Sequence, residues 1–361
     1  MKNSLSLTLR ALLFLSAILL TACTGTDDII VTNGNTDACG NVIDHIEVLD
    51  AEGVAEAGHT IYRLSSTLWK IDDITYSVLP NGIAVDKAQS KGQATPVERI
   101  KLNGRTLPLV GIGAGAFSGC ADMTAVSIPQ SVLSIGDRAF DGCIGLTSVR
   151  LPDGLTHLGE SAFVGCTGLT TIVLPSGVDS IAAKAFARCT SLTSVTLPAS
   201  VQYIAPFAFQ GCSRLTSFVV PDGVKGIETS VFDGCTKLAS VRLPESVGEI
   251  GAAAFRDCRS LASVAIPSGV KHIGDLAFSG CRSLMAIALP SAVLTIGTST
   301  FSGCSALTNV YCYAAETPQI TSVTFTAEQH NAATLHVPSA ALSDYLFDLR
   351  WSQFKSLVPL D

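Results

Sequence analysis

The sequence predicts a repeat solenoid, a right-handed stack of 23-residue coils with one short parallel strand per coil and an irregular convex side. Three features of the chain predict it. Cysteines fall at 120, 143, 166, 189, 212, 235, 258, 281 and 304, and every interval is 23 residues. A phenylalanine stands three residues ahead of each, from Phe117 and Phe140 through to Phe278 and Phe301. Prolines keep the same period at 129, 152, 175, 198, 221, 244, 267 and 290. One period held over eight complete units marks a unit that cannot bury its apolar face alone, so successive units stack and share a core.

Counted from its cysteine, each coil reads C-x-x-L-T-S-V-x-L-P-x-x-V-x-x-I-G-x-x-A-F-x-G. Leu146-Thr147-Ser148-Val149-Arg150-Leu151 carries the L-x-x-L-x-L signature of a leucine-rich repeat, and alternation around Val149 and Leu151 marks a short strand with one buried face. Pro152 cannot donate to a ladder and ends that strand. A turn follows, as in Pro175-Ser176-Gly177, and Val178, Ile181, Ala185 and Phe186 then point back inside. No span in the coil is long enough for a full helix. With neighbours about 4.8 Å apart, some nine rungs give a sheet roughly 45 Å long with a continuous core and no central pocket.

This pattern resembles the BspA-like bacterial leucine-rich repeats, a 23-residue class found on surface proteins of oral and gut anaerobes. The resemblance covers about residues 97 to 340. It implies the leucine-rich-repeat fold, a ligand surface on the concave strand face, and a role as an adhesin for host matrix proteins or other bacteria. It does not imply a particular ligand.

The ends of the chain are organised differently. Lys2 and Arg10 flank an apolar run, Ala11 to Leu20, about half the length a membrane-spanning helix needs, so residues 1–22 are expected to be a signal peptide. Leu20-Thr21-Ala22-Cys23 looks like a bacterial lipobox, which makes Cys23 the expected lipidation site. Acyl chains there would hold the protein in the outer membrane, each buried methylene contributing roughly 0.8 kcal/mol. Asp27 and Asp28 resemble the acidic signal that sends such lipoproteins to the cell surface. Residues 23–36 are polar and expected to be a tether. Residues 37–96 hold short alternating runs, Ile74 to Val78 and Ile83 to Val85, joined through Asn81-Gly82, and are expected to form a small β-rich cap or domain. The solenoid is expected over 97–338, its first coil using Ile100 and Leu102 as strand positions with a three-residue insertion before Ile112. At the other end Leu335 to Pro338 is expected to restore one last strand. Residues 339–361, with Leu342, Tyr345, Leu346, Leu349, Trp351 and Phe354 at helical spacing, are expected to be a helical cap.

Composition narrows the function. Formal charge is -7 and no basic stretch occurs, which argues against nucleic acid as a partner. Charged residues make up 15%, against roughly 25% in typical soluble domains, so small polar groups must cover the surface. A straight row of nine cysteines cannot converge on zinc, and parallel side chains leave neighbouring Cβ atoms too far apart for disulfides, so the row is expected to be buried reduced thiol. Cys39 and Cys312 lie outside it. The phenylalanine row is expected to be a core spine. His157 and His272 share one coil position but stand five coils apart, roughly 24 Å, and cannot share a metal. Gly111-Ile112-Gly113-Ala114-Gly115 lacks the lysine and the strand-to-helix context of a phosphate loop. Carboxylates are scattered with no repeat-placed pair for acid/base work. No catalytic residue, cofactor or metal site is expected, and the chain is not expected to be an enzyme.

Function then rests on the variable surface. The strand position after the inward residue reads Ser127, Arg150, Val173, Thr196, Val219, Arg242, Ala265, Ala288 and Tyr311. Arg150, Arg242 and Tyr311 are its bulky polar or charged members. Tyr203, Pro206 and Phe207 depart from the pattern elsewhere in the coil and make Tyr203 and Phe207 a second candidate contact. The expected function is a monomeric adhesin for host matrix or bacterial surface proteins, touching the membrane through its lipid alone. The alternatives are a glycan-binding or structural component of an outer-membrane assembly, or a spacer.

Overall fold

The computed structural model describes residues 46–50, 52–65, 67–89 and 91–360. The expected signal peptide, Cys23, the tether and Cys39 lie outside the described residues. The chain divides into two compact units, one running to Val85 and including Val97–Val110, the other comprising Asp86–Pro96 and Gly111–Asp361.

The first unit is built on a seven-strand path in the order Ile46–Leu49, Arg99–Leu102, Arg105–Ile112, Gly82–Ala88, Ile74–Leu79, Leu68–Ile71, Ile61–Arg63. Its apolar residues follow the period of two that a half-buried strand requires, and Trp69, Ile71, Tyr76, Ile83, Val85, Ile100 and Leu109 are buried. The Val97 N–H donates to the Tyr76 hydroxyl at 2.9 Å. The hairpin signalled by Asn81-Gly82 is present, but the turn is Pro80-Asn81 and Gly82 already belongs to the strand. Glycine is needed there because a Cβ would lie 2.4 Å from the Pro108 carbonyl oxygen. Ile100 and Leu102 are not first-coil positions. They sit in an antiparallel strand between Ile46–Leu49 and Arg105–Ile112, where the alternation of buried residues is the same as in a coil strand.

The first strand of the second unit comes from further upstream. Gly92–Ala94 pairs in parallel with Met123–Ser127, setting Ala94 opposite Val126. Thereafter Ser148–Arg150 pairs with the preceding strand, Thr171–Val173 with Ser194–Thr196, Ser217–Val219 with Ser240–Arg242, and Ala286–Leu289 with Asn309–Cys312, every register offset by 23 residues. Each proline after these strands opens a turn in which its carbonyl accepts the N–H three residues on, as Pro152 does from Leu155 and Pro175 from Val178. The returning arm is more regular than expected. It adds a second parallel row of two-residue strands, among them Ser134–Ile135, His157–Leu158, Glu249–Ile250, His272–Ile273 and Thr295–Ile296.

Glycine after the return-row isoleucine is a packing requirement. A Cβ on Gly159, Gly274 or Gly297 would come within 2.4–2.5 Å of a backbone nitrogen in the preceding coil. Where Ala182 and Glu228 replace it, the return row is interrupted among the described residues, between Leu158 and Ile181 and between Ile204 and Ile227. Ala205 is tolerated, its N–H still reaching the Ile181 carbonyl at 2.9 Å.

A third ladder runs along the corner before each cysteine. The N–H groups of Arg138, Phe140 and Gly142 donate to the carbonyls of Glu160, Ala162 and Val164 one coil on, and later coils repeat the pattern. The corner uses left-handed backbone. Arg138, Ser161, Lys184, Phe207, Ser230, Ala253, Leu276 and Ser299 hold φ between 53° and 63°, and the position four residues further is mostly glycine. That four-residue rhythm explains the glycine of F-x-G-C.

The core is a spine of rings. From Phe117 to Phe301 successive phenylalanines stack with centroids 5.0–6.0 Å apart, all of them buried, and Phe325 adds a further ring at 4.9 Å. Each ring contributes area burial of roughly 1.5–3 kcal/mol, and each stacked pair about 0.5–1.5 kcal/mol more. The ten described cysteines are buried thiols. Those of the row are more than small apolar groups, since from Cys143 onward each Sγ donates to the carbonyl of the phenylalanine 26 residues earlier, at 3.1–3.3 Å.

At the C-terminal end Thr334–Pro338 continues the parallel sheet, and Ser356–Leu360 adds a strand beyond it. The expected helical cap is therefore part helix and part strand. Its helical pieces are Ser339–Ala341, Leu342–Phe347 and Trp351–Gln353. Tyr345, Trp351 and Phe354 are buried, the Tyr345 hydroxyl reaching Ala314 O and Cys312 Sγ and the Trp351 indole reaching Pro318 O. Leu346 and Leu349 face out, because short helical pieces broken at Asp348 do not sustain one apolar stripe.

Candidate functional site

The strand row presents its outward side chains from positions either side of the buried residue. Ile172, Phe218, Ile287 and Val310 are buried, whereas Thr171 and Val173, and Ser217 and Val219, are exposed. One row is therefore Ser148, Thr171, Ser194, Ser217, Ser240 and Ser263, and the other is the variable row that contains Arg150, Arg242 and Tyr311. Just ahead, Thr147, Thr170 and Thr193 each direct the hydroxyl to the carbonyl of the threonine one coil earlier, at 3.1–3.3 Å. The hydroxyls fix the edge of the face through the same period as the backbone.

Arg150 is exposed and borders a notch of about 280 Å³ lined by Val149, Leu151, Asp153, Thr171, Ile172, Val173 and Pro175. Arg242 is also exposed and pairs with Asp222 at 3.1 Å. Exposed pairs of that kind contribute at most about 1 kcal/mol and leave the guanidinium available to a ligand. Tyr311 is half-buried and stacks on His336, centroids 4.4 Å apart and planes 17° from parallel. His336 Nε2 lies 3.0 Å from Asn309 Oδ1. By repeat spacing Arg150 and Arg242 stand four coils apart and Arg242 and Tyr311 three, about 19 and 14 Å.

Tyr203 and Phe207 lie elsewhere in the coil. Tyr203 is in the return row opposite Ser180 and is 47% exposed. Burial of its ring, then the nearby Glu228 carboxylate, pushes its phenol above the ordinary range. Phe207 is half-buried at a left-handed corner with the Lys184 ammonium 5.8 Å from its ring. The five candidate residues thus fall into two groups on different arms of the coil.

The return row also carries a shallow groove of about 580 Å³ lined by Glu228, Glu249, His272, Asp275 and Thr295 over glycine backbone. His272 Nδ1 meets Thr295 Oγ1 at 2.8 Å. Among the described residues no group of three or more His, Cys, Asp or Glu could hold a metal ion, and no helix is long and apolar enough to cross a membrane.

Sequence reasoning missed two things at the strand face. Leu335 to Pro338 reads as the last strand, but His336 was not singled out as the stacking partner of Tyr311, because the coil between them departs from the 23-residue period and hides the register. The replacement of threonine and serine by Ala262, Met285 and Ala286 was visible as a departure from the pattern, but alanine carries little chemical information by itself.

The chain is similar to a solved leucine-rich repeat protein of T. pallidum, 36% identical over 52% of this chain and 88% of that one, with a TM-score of 0.48. It is also similar to a leucine-rich repeat protein of Bacteroides ovatus, 23% identical over 81% of this chain and 99% of that one, TM-score 0.43. A leucine-rich cell surface protein of Faecalibacterium prausnitzii is 23% identical over 82% and 96%, TM-score 0.37. No curated protein matches the chain. The family model of the BspA type leucine rich repeat region, in six copies, matches residues 110–239 and 225–349. With that match spanning most of the sequence and successive strands paired in parallel at a 23-residue offset, the chain belongs to the BspA type leucine-rich repeat family.

Proposed function

We propose that this protein is a surface adhesin, anchored in the outer membrane through lipid on Cys23, that binds host matrix or bacterial surface proteins on its strand face. The observation that carries the reading is the face itself. A hydrogen-bonded platform presents rows of small exposed hydroxyls interrupted by Arg150, Val173, Val219, Arg242 and Tyr311. A rigid display of that kind costs little ordering on binding and offers area over several coils in place of one deep pocket. Arg150 beside its notch and Arg242 provide charge, and the Tyr311–His336 pair provides an aromatic edge.

The test is binding of the chain lacking residues 1–23 to an array holding matrix proteins and glycans. Saturable binding to protein spots, weakened by Arg150→Glu, Arg242→Glu or Tyr311→Ser, is the expected result. Binding confined to glycans, or protein binding indifferent to all three changes, overturns it. Mass spectrometry of the protein from its native membrane is expected to find acylated Cys23, and an unmodified N-terminus elsewhere removes the anchor.

A further inference from the structure

The strand face changes chemistry along its length. In the coils of Thr147 to Thr216 the positions ahead of the inward residue are threonine followed by serine or threonine. In the coils of Leu238, Leu261 and Leu284 they become Ala239-Ser240, Ala262-Ser263 and Met285-Ala286, and in the last two the outward position beyond the inward residue becomes Ala265 and Ala288. Met285 is 58% exposed, and Tyr313, two residues beyond Tyr311 along the same strand exit, is 49% exposed. Elsewhere on the face the exposed apolar residues Val173 and Val219 stand singly, two coils apart, whereas here they gather on adjacent coils and mark a contact site. An exposed methionine suits one because its thioether adapts to a partner's shape.

The geometry gives the patch a shape. Tyr311 is paired in register with His336 on one side and with Ala288 on the other. Its ring stacks on His336 along the direction in which coils are added, so its opposite face is turned toward Ala288. Ala288 and Ala265 leave two layers above the strand row without a side chain larger than a methyl. At about 4.8 Å per layer this is an opening roughly 10 Å long between Tyr311 and the coil of Arg242. A flat ring entering it would continue the stack.

The polar groups choose the ring. The Asn309 carboxamide is occupied at both ends, Oδ1 by His336 Nε2 and Nδ2 by Thr308 Oγ1. Sugar hydroxyls placed over Ala286, Ala288 and Met285 would leave water with few replacements, whereas an aromatic side chain gives up none. Carboxylates flank the patch at Glu245, which holds Ser268 beyond the far end of the strand row, and at Asp257, but the exposed cation on the Met285 side is Arg282. Arg259 and Arg282 follow Cys258 and Cys281, a position held by Ile144, Thr167, Thr190, Ser213, Thr236 and Ser305 in other coils. Arg282 is exposed three residues ahead of Met285, and Arg259 is engaged by Asp257 at 3.3 Å.

We infer that the patch of Met285, Ala288 and Tyr311 is the docking site for a protein segment carrying an aromatic side chain flanked by carboxylates, an inference that rests on the strand face being the binding face. The aromatic ring occupies the layers over Ala288 and Ala265 against Tyr311, and the carboxylates meet Arg282.

The experiment is selection of displayed random twelve-residue peptides on the full chain in detergent, followed by affinity measurement on variants. Selected peptides are expected to carry Trp, Tyr or Phe next to Asp or Glu, and to bind Met285→Asp and Ala288→Asp at least tenfold more weakly. Arg282→Glu is expected to weaken them several-fold, and His157→Asp, exposed on the return row and off the strand face, to leave them unchanged. The substituted side chains are exposed, and matching thermal unfolding curves establish that the variants are folded. Peptides that lose binding on Val173→Asp but not on Met285→Asp overturn the patch and leave the strand-face reading standing. Peptides sensitive to neither overturn both. Failure to select any peptide, or selection without an aromatic residue, overturns this inference while the protein array decides the broader reading separately.

Discussion

The thiol of Cys212 donates to the carbonyl oxygen of Phe186, 26 residues earlier, at 3.2 Å. The same carbonyl accepts the Cys189 N–H at 3.3 Å, so the thiol supplies a second donor to a buried oxygen at the corner between coils. Cysteine is suited to the position because it is small and apolar enough for the core and still carries a donor. Cys212→Ala is therefore expected to lower stability by about 1–2 kcal/mol, the hydrogen bond plus a small cavity, read from denaturant unfolding. A neutral result would reduce the thiol to a space-filler.

The row also makes stability depend on alkaline pH. Burial pushes the Cys189 thiol from 9.0 up to about 12, and burial first, then neighbouring thiols, raises Cys212 and Cys235 in the same direction. A thiol whose folded value is raised contributes stability that is fully present below about pH 9 and is lost as pH rises toward the folded value. For Cys189 alone the loss between pH 9 and 12 is on the order of 4 kcal/mol. The midpoint of unfolding is expected to be flat from pH 6 to 8 and to fall above 9, less steeply in Cys189→Ala. Equal slopes in the two proteins would place that thiol in contact with water.

Much of this architecture was legible because it is written many times over. Val149 and Leu151, Pro152, and the Phe140–Cys143 spacing each recur with the same period, so strand, turn and spine could be read from agreement among coils. Features that occur once were harder. Ile100 and Leu102 alternate in an antiparallel hairpin as they would in a coil, and nothing local to those residues tells parallel from antiparallel pairing. The return row has two residues per strand, too few for alternation to show at His157–Leu158. Ser356–Leu360 contains Pro359, which argues against a strand until the edge position is known. At the candidate site Arg150 and Arg242 stood out as charged residues in a variable row, whereas the opening over Ala265 and Ala288 is defined by what those residues lack.

Gly274 and Gly226 occupy adjacent kinds of position in the return row and are expected to respond oppositely to a methyl group. A Cβ on Gly274 would lie 2.5 Å from the Ala252 nitrogen and 2.7 Å from the Gly251 carbonyl carbon, all backbone and unable to move aside. Gly274→Ala is expected to destabilise by roughly 2 kcal/mol or more, in the range of overpacked cores. Gly226→Ala meets nothing closer than the Glu249 carbonyl oxygen at 3.8 Å and is expected to be neutral within about 0.5 kcal/mol. Thermal unfolding of both variants decides whether inter-coil approach sets the glycine pattern.

Phe209 and Phe232, in the middle of the spine, each have three aromatic neighbours. Phe209 stacks on Phe186 at 5.5 Å and Phe232 at 6.0 Å and takes the edge of Phe218 at 4.9 Å. Phe209→Ala removes all three contacts and leaves a cavity that the flanking coils, held at the corner by the Phe186-to-Ala208 and Phe209-to-Val231 rungs, cannot collapse into. The expected loss is about 3–5 kcal/mol, read by denaturant unfolding. Because the array is one-dimensional, amide exchange is expected to accelerate most in the coils next to Phe209. Uniform acceleration along the chain would show the solenoid to unfold as a single block.

Arg188 stands where most other coils have glycine. Its φ of 61° matches Gly165 at 70° and Gly211 at 73°, and Asp257 at 56° is the other departure. A left-handed conformation costs an L-residue about 1–2 kcal/mol, part of which glycine returns through its larger unfolded-state entropy. The corner holds Arg188 there because its N–H donates to Gln210 O at 2.6 Å, the rung that Gly165, Gly211 and Asp257 also make from the left-handed region. Arg188→Gly is expected to raise stability by roughly 0.5–1 kcal/mol. Asp257→Gly is expected to gain less, since aspartate tolerates the left-handed region better and its carboxylate pairs with Arg259. Urea midpoints of the two variants against the parent measure both. A loss of stability in Arg188→Gly would mean that the packing of the arginine stem against the next coil outweighs the backbone strain it replaces.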